Sequence, residues 1–331
     1  MSQPARDSAT FLVGIDIGGT KCAVVLGECA TDQVHVVRRF VIPTERGGDP
    51  LAMLARLEDA ARRELDEAGL APGDVGRVGI CCGGPLSEND GLVLGPPNLP
   101  RWGRVPVVEH FERALGIPAR LGNDANAGAL AEWWWGAGRG TSTMAFLTFG
   151  TGLGAGLIID GRLHRGAHGL AGEVGRVRVA VDGPVAYGKA GSWEGYSSGN
   201  GLRLLAIERV RQEWAAGRSV AFCADQAALE TLDAVVLARA ARAGDALALS
   251  VFATSGRHLG QGIAVLADVI DPEVVVVGGI YSRCLDLLEA ETMAAFETEM
   301  QGGAARSCRI LPAGLKEAIG DYSALAVALA V

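Results

Sequence analysis

The residues best suited to chemistry are glycines and carboxylates at the ends of apolar runs. Asp16 ends the first such run and is followed by a turn without side chains at its tip. Backbone N–H groups of such a turn can approach an anion closely, because no Cβ stands in the way. Three turns of this kind suit a nucleotide held from several sides, although each one alone is also compatible with an ordinary hairpin turn. The candidate phosphate-binding residues are Gly18, Gly19, Thr20, Lys21, Gly150, Thr151, Gly152, Gly278 and Gly279.

A second set of polar residues could bind or activate hydroxyl groups. Asn123 and Asp124 open a predicted helix, where simple capping is the alternative, because Asn and Asp are preferred at helix starts. A carboxylate at that position could also accept a hydroxyl proton during phosphoryl transfer. Glu173, with Arg176 three residues later, and Glu194 lie in Gly-rich segments, where they are not needed to solvate a helix face. These carboxylates are candidates for binding the hydroxyls of a polyol.

Rival motifs are weaker. The chain contains neither a G-x-x-x-x-G-K-[ST] loop nor a clean G-x-G-x-x-G, so P-loop and Rossmann sites lack their main support. Residues 195–199 match the hydrolase pattern G-x-S-x-G around Ser197, but no apolar strand precedes it. His164 and His168 are four residues apart in a Gly-broken stretch that lacks the helix of a zinc motif. A serine hydrolase and a histidine metal pair are therefore both disfavoured.

The hydrophobic pattern predicts alternating strands and helices, which indicates an α/β fold. Two strand–Gly-turn–strand units begin α/β segments, which suggests two similar domains facing each other across a cleft. The predicted elements are a β-hairpin (11–26), an amphipathic helix (49–69), a strand (76–82), a helix (106–116), a strand (118–122), a helix from about 123, a second hairpin (143–159), helices (202–215, 224–243, 245–268), a strand (272–280) and an apolar helix (318–331), with loops at 83–100 and 183–201.

Composition narrows the class of function. The 331 residues carry a net charge of −8, with 30 Lys and Arg against 38 Asp and Glu, so no broad basic surface for nucleic acid or an anionic membrane is expected. The first ten residues lack the apolar core of a signal peptide, which predicts a cytoplasmic protein. Seven cysteines, none in a C-x-x-C pair, indicate reduced structural thiols rather than a disulfide framework or a zinc knuckle.

The ordered motifs resemble those of the ROK family of sugar kinases and sugar-responsive repressors, within the actin-like ATPase superfamily. The resemblance runs through nearly the whole chain. The matching segments are DIGGTK (16–21), GGP (83–85), PNLPRW (97–102), GNDANAGALAE (122–132), GTGLGAG (150–156), GEVG (172–175), EGYSSG (194–199) and VVVVGG (274–279).

The resemblance implies two RNase H-like domains with an interdomain cleft, formed by residues 1–125 plus 317–331 and by residues 126–316. It implies that the first two Gly turns hold the ATP phosphates, that the third lies near the adenosine, and that Mg²⁺ binds near Asp16 through water. Asp124 matches the family's catalytic base. The residues that match or line the sugar site are Gly84, Pro85, Asn98, Asn123, Asp124, Glu173 and Glu194.

Two departures from the family pattern fall in one region. Many members have His at the position of Arg176 and then a C-x-C-G-x-x-G-C zinc cluster, whereas this chain reads GPVAYGKAGSWEG (183–195). No structural zinc is therefore expected, and packing and hydrogen bonds must hold the loop. Arg176 is a donor only and always charged, so it would suit a carbonyl or carboxylate on the substrate or its neighbours.

The sequence thus predicts an ATP-dependent hexose or hexosamine kinase, expected to be a homodimer, with glucokinase-like 6-phosphorylation as the leading reaction. N-acetylmannosamine, N-acetylglucosamine, fructose or allose are alternative substrates. A non-catalytic sugar-sensing member of the family is the alternative of another class. A repressor is disfavoured, because only about ten residues precede the first strand and the charge is acidic.

Overall fold

The computed structural model describes residues 10–30, 33–45, 47–300 and 308–330. The N-terminal segment for which no signal peptide is predicted lies outside these ranges. The strands are β1 (Thr10–Ile17), β2 (Lys21–Ala30), β3 (Gln33–Pro43), β4 (Val75–Cys82), β5 (Leu86–Ser87), β6 (Leu92–Val93), β7 (Val105–Pro106), β8 (Ala119–Asn123), β9 (Met144–Phe149), β10 (Leu153–Ile159), β11 (Arg162–Leu163), β12 (Val185–Ala186), β13 (Lys189–Ala190), β14 (Val274–Val277) and β15 (Arg309–Pro312). The α-helices are α1 (Pro50–Ala68), α2 (Val107–Leu115), α3 (Asp124–Trp135), α4 (Trp193–Tyr196), α5 (Gly199–Ala215), α6 (Gln226–Glu230), α7 (Ala234–Arg242), α8 (Ala246–Ile270), α9 (Ile280–Arg283), α10 (Leu285–Glu299) and α11 (Ile319–Leu329).

The chain forms two compact units, each an α/β structure as the sequence predicts. The first unit comprises the described residues of Met1–Arg139 and Glu317–Val331, and the second comprises those of Gly140–Lys316. The first unit ends at Arg139 rather than at the expected residue 125, because helix α3 packs as a whole against α11. The C-terminal helix belongs to the first unit, as the resemblance implied.

The first unit is built on a sheet with the strand order β3-β2-β1-β4-β8. Strands β1 and β2 form the predicted Gly-turn hairpin, and β3 extends it on the far side. Strands β1, β4 and β8 are parallel, with Asp16 beside Cys81 and Cys82 beside Asn123. Their carboxyl ends therefore meet at one edge of the sheet, the place where α/β proteins bind ligands.

Helices cover this sheet on both faces. Asp49 caps α1, Pro50 is its first residue and Gly69 ends it in the left-handed conformation, as the sequence predicts. The apolar face of α1 is buried except for Leu51, which is exposed. On the other face, a Cβ on Gly79 would lie 2.1 Å from the carbonyl oxygen of Ala324, so glycine is required for α11 to lie directly on β4.

The second unit repeats the plan with a sheet of order β11-β10-β9-β14-β15. Strands β9 and β10 form the second predicted hairpin, and β14 is completely buried between β9 and β15. The predicted helix over 224–243 is two helices, because Asp233 accepts hydrogen bonds from Val235 N and Val236 N and starts α7 anew. The predicted loop 183–201 contains the β12–β13 hairpin, α4 and the start of α5.

Among the described helices, none has the length and apolar character that crossing a membrane would require.

Candidate active site

The first unit gathers polar residues at the carboxyl edge of its parallel strands. Asp16 lies near the end of β1, the Gly83-Gly84 segment follows β4, and Asn123 ends β8. Because these strands are neighbours in register, the three positions lie side by side. The sequence predicted each of these residues as a site residue, apart from Gly83.

Asn123 and Asp124 divide two roles between them. The Asn123 side chain caps α3, accepting hydrogen bonds from Ala125 N at 3.0 Å and Asn126 N at 3.3 Å. The backbone N–H of Asn123 donates to the Glu88 carboxylate at 3.1 Å, a contact the sequence did not reveal. Since Asn123 supplies the cap, capping does not account for Asp124. Its carboxylate is exposed, with Oδ1 accepting from Ala125 N at 2.9 Å.

Glycines bring the other side chains of this edge together. A Cβ on Gly83 would lie 3.6 Å from Oδ2 of Asp124 and 3.8 Å from Nδ2 of Asn98. A Cβ on Gly84 would lie 3.5 Å from Nδ2 of Asn123, and the following bond to Pro85 is cis. Asn98, Asn123 and Asp124 therefore converge around the Gly83–Pro85 segment.

The Gly18–Lys21 turn lies against the same cluster. A Cβ on Gly19 would lie 2.7 Å from Cβ of Asn98, so only glycine permits this approach. The hydroxyl of Thr44 donates to the Gly18 carbonyl at 2.7 Å and fixes the turn, while Thr20 and Lys21 are exposed. The turn thus presents backbone and two exposed side chains beside the convergent polar groups.

Asp16 is a strongly perturbed carboxylate at this edge. Burial, and then the negative charges of Asp124 and Asp321, raises its pKa from 3.8 to about 7, although Lys21 and Arg39 oppose the shift. The last helix also approaches it, because a Cβ on Gly320 would lie 2.7 Å from Oδ2 of Asp16. Asp321, buried and paired with Arg39 at 2.7 Å, lies next along this helix. Burial and neighbouring carboxylates thus act together on Asp16.

The second unit contains a separate glycine cluster around the β9–β10 turn. Gly199 N donates to the Gly150 carbonyl at 2.8 Å, and Asn200 N donates to the Thr151 carbonyl at 3.2 Å. The first N–H groups of α5 therefore hold this turn in place. Gly279 has φ +66°, and a Cβ there would lie 2.2 Å from the Phe149 carbonyl oxygen. The second and third predicted Gly turns, Gly150–Gly152 and Gly278-Gly279, consequently lie together.

Glu194 lies at the start of α4 and reaches back to the same turn. Its Oε2 accepts hydrogen bonds from Leu153 N at 2.9 Å and from the Tyr187 hydroxyl at 3.0 Å. A Cβ on Gly152 would lie 2.6 Å from this oxygen, and a Cβ on Gly175 would lie 3.4 Å from it. The GEVG segment and the β9–β10 turn thus provide the space that the Glu194 carboxylate occupies.

Glu173 and Arg176 pair with each other at 3.1 Å, and both are exposed. The Arg176 guanidinium lies 5.2 Å from the ring centroid of Tyr187, within cation–π range. Tyr187 was missed by the sequence analysis, because its segment carries no catalytic motif. The prediction that hydrogen bonds hold this loop is confirmed, since Tyr196 also donates to the Asp182 carbonyl at 2.9 Å.

Neither the G-x-S-x-G segment nor the histidine pair forms a catalytic or metal site in the described residues. Ser197 is completely buried at the end of α4, and its neighbour Tyr196 stacks on His258 with centroids 3.6 Å apart. His164 and His168 are exposed and lie outside helices. In the part of the chain that the structure describes, no group of three or more His, Cys, Asp or Glu side chains is arranged to hold a metal ion.

Comparison with known proteins assigns the chain to a family. The sequence model of the ROK family matches residues 12–330. A glucokinase from Halalkalibacterium halodurans is 31% identical over 88% of this chain and 86% of its own length. The crystal structure of a ROK family glucokinase from Streptomyces griseus in complex with glucose and AMPPNP is 31% identical, with a TM-score of 0.76, and the match covers 97% of this chain and 99% of that one. A xylose repressor from Caldicellulosiruptor bescii is 30% identical over 81% of this chain and 65% of its own length.

Proposed function

This chain belongs to the ROK family, and we propose that it is a hexose kinase that transfers the γ-phosphoryl group of ATP to the 6-hydroxyl of a glucose-like sugar. The carrying observation is the convergence of Asn98, Asn123 and Asp124 with the carboxylate of Asp16 at one sheet edge. A sugar sensor needs hydrogen bonds to its ligand, but it has no use for an exposed proton acceptor beside a buried carboxyl group whose ionised form a cation would stabilise. The glucokinase relatives support the same activity.

The nucleotide would be held mainly by backbone groups. In the proposal, the turns at Gly18–Lys21 and Gly150–Gly152 bind the phosphates, and Gly278-Gly279 lies near the adenosine. Glycine suits these positions, because N–H groups then reach the phosphate oxygens without a side chain between them.

The residues around Asp16 fit a magnesium ion. A hard divalent cation prefers oxygen ligands and is commonly held by one or two carboxylates together with substrate phosphates. The raised pKa of Asp16 reflects burial first and then the nearby negative charges of Asp124 and Asp321, and a cation bound to the Asp16 carboxylate would oppose both effects. We propose that Asp16 holds Mg²⁺ through water, and the ion would offset negative charge on the transferring phosphates.

The sugar would be held by polar side chains. We propose that Asn98, Asn123 and the Gly84-Pro85 segment contact it in the first unit, with Glu173, Arg176 and Glu194 in the second. Carboxylates are acceptors only, so they select hydroxyl groups that donate. Asn98 and Asn123 add amide donors for the sugar oxygens.

Asp124 would act as the general base. Its carboxylate accepts a hydrogen bond from the attacking hydroxyl and takes the proton while the new O–P bond forms and the bond to ADP breaks. In a loose transition state the nucleophile needs orientation more than strong activation. General-base assistance of this type contributes about 10²–10⁴ in rate.

The test is ADP release with MgATP over a panel of hexoses, hexosamines and N-acyl hexosamines. We expect strong turnover on glucose or one related sugar, and Asp124→Asn should lower kcat by about 10²–10⁴ while sugar binding persists. Asp59→Asn, which changes an exposed carboxylate on α1, is the matched control and should keep full activity. Unchanged kcat in Asp124→Asn would remove Asp124 from its role. Sugar binding without turnover in the wild type would favour a non-catalytic sensor.

The remaining parts of the proposal concern the protein as a whole. We propose that it works in the cytoplasm as a homodimer. Light scattering after size exclusion at micromolar concentration would return a monomer mass if the dimer assignment is wrong.

A further inference from the structure

The two carboxylate oxygens of Glu194 have different surroundings. Oε2 accepts both the Leu153 N–H and the Tyr187 hydroxyl, at 2.9 and 3.0 Å. Within the described ranges of the chain, Oε1 accepts no hydrogen bond from the protein. A carboxylate held by two donors on one oxygen has a fixed plane, so the position of the other oxygen is also fixed. Glu194 is only half-buried, and Oε1 can therefore meet a ligand.

Tyr187 stands in a turn that does not favour its side chain. It occupies the first central position of the two-residue connection between β12 and β13, with φ +52°, and Gly188 follows with φ +71°. Positive φ at both central residues defines the turn class that prefers Asn-Gly or Gly-Gly. An aromatic residue there is conformationally costly, so the turn itself does not account for the tyrosine.

Charged neighbours hold the Tyr187 ring at this position. The Arg176 guanidinium lies over the ring at 5.2 Å, and Glu173 fixes this arginine from the other side at 3.1 Å. Lys189, which follows in β13, donates to the Arg176 carbonyl at 2.6 Å and ties the hairpin to the same segment. The tyrosine hydroxyl is thereby aimed at Glu194.

We propose that Tyr187 is a positioning residue, which anchors Oε2 of Glu194 so that Oε1 is presented to one donating hydroxyl of the sugar. This inference rests on the proposed function. It assigns sugar discrimination at Glu194 to a residue outside the motifs that carry the family resemblance. Burial, followed by the negative charge of Glu194 and its hydrogen bond, raises the pKa of Tyr187 above its ordinary value, so the hydroxyl stays a donor across the neutral pH range.

The carboxylate geometry predicts a specific dependence on the substrate. Oε1 can only accept, so the sugar group that it contacts must be a donor. Replacing that hydroxyl by hydrogen or fluorine removes the donor, and misplacing Oε1 then has little further effect. The contribution of Tyr187 must therefore be coupled to one particular hydroxyl and to no other.

The test is Tyr187→Phe, which removes the hydroxyl and keeps the ring under Arg176. We expect the sugar KM to rise about tenfold, with kcat, the ATP KM and the melting temperature nearly unchanged. Across singly deoxygenated or fluorinated analogues of the accepted sugar, the tenfold effect should disappear for one position and persist for the others. Tyr196→Phe is the matched control, because it removes a hydroxyl bonded to the Asp182 carbonyl in the same loop and should not change the sugar KM.

The outcomes separate this inference from the proposed function. If the wild type phosphorylates a sugar and Tyr187→Phe behaves identically, the positioning role is wrong and the kinase assignment stands. An equal loss on every deoxy analogue, or a loss shared with Tyr196→Phe, would show general loosening of the loop and would also overturn the role. If the wild type has no turnover, calorimetric sugar affinities of the same variants make the same comparison. Absence of any sugar binding would overturn both proposals.

Discussion

Replacing Gly152 by Ala should damage sugar binding while leaving the fold intact. Gly152 does not have a left-handed φ, so its backbone accepts an alanine. The added Cβ, however, would lie 2.6 Å from Oε2 and 3.3 Å from Cδ of Glu194. Those atoms belong to the end of a side chain, which can move where backbone could not. The substitution therefore displaces the Glu194 carboxylate and leaves the surrounding strands in place.

The size of the effect follows from the contacts that are lost. Ordinary carbon contacts begin near 3.5 Å, so the carboxylate must retreat by about 1 Å. A retreat of that size breaks the hydrogen bonds from Leu153 N and Tyr187, now at 2.9 and 3.0 Å. The displaced Oε1 also loses the sugar hydroxyl that the proposal assigns to it, and because a hydrogen bond to a charged group contributes about 1.5–3 kcal/mol, we expect the sugar KM to rise by about 10- to 150-fold. The free energy of unfolding should fall by about 1–3 kcal/mol, because two hydrogen bonds within the folded protein are lost and the restriction that alanine places on the unfolded chain offsets only about 0.4–1 kcal/mol.

The assay measures KM for sugar and for ATP, together with the melting temperature. Gly150→Ala is the control in the same turn, since a Cβ there would meet only Thr148 Oγ1 at 3.8 Å. It should leave the sugar KM unchanged, whereas the ATP KM should rise in both variants, because both glycines belong to the turn proposed to bind the phosphates. The reasoning is refuted if Gly152→Ala keeps a wild-type sugar KM, or if it unfolds the protein so that the backbone rather than Glu194 yields.

Three further predictions concern the carboxylate edge of the first unit and the Gly278-Gly279 turn of the second. Gly320→Ala places a methyl group 2.7 Å from Oδ2 of Asp16. The KM for MgATP, measured from kinase activity, should rise at least several-fold, with little loss of stability. In metal-free protein, the raised pKa of Asp16, about 7, means that the folded state binds a proton more tightly than the unfolded chain does. The free energy of unfolding should therefore fall as the pH rises from about 4 to 7. This fall should be about 2–4 kcal/mol larger in the wild type than in Asp16→Asn. Urea denaturation with a chelator at pH 5 and pH 8 measures this difference, and parallel curves for the two proteins would contradict it. Gly279→Ala meets the Phe149 carbonyl oxygen at 2.2 Å with φ +66°, so thermal unfolding should show a loss of about 2–4 kcal/mol.

The sequence could predict the features whose causes are local. The Gly18-Gly19 and Gly150–Gly152 turns, the capped start and glycine end of α1, and the opening of α3 at Asn123 all depend on residues within one turn of the chain. Parallel pairing of β1, β4 and β8 then brings their carboxyl ends together without further information. The polar cluster at that edge was therefore predictable.

The features that could not be predicted from the sequence depend on contacts between segments that are distant along the chain. Tyr187 matters because Glu194 and Arg176 fold around it, and the composition of its own segment indicates only a loop. Strand β3 alternates between outward and inward positions, but its residue types do not follow this alternation, since Val37 and Val41 are exposed and Arg38 is half-buried; the strand signal is therefore weak before β2 pairs with it. The packing of α3 on α11 is also invisible in the sequence, because it joins residues nearly two hundred positions apart.

Two glycines of this protein are explained by the carboxylates that lie beside them. A Cβ on Gly320 would meet Asp16, and one on Gly152 would meet Glu194, each at less than 3 Å. In both cases the glycine belongs to a different element from the acid it accommodates, so the missing side chain creates a fixed space into which one carboxylate fits. The space next to a carboxylate then determines where its side chain points as much as the hydrogen bonds that it accepts. Substitutions at these glycines should consequently alter affinity and turnover before they alter stability, which is the reverse of the order expected for Gly279, whose Cβ would meet backbone.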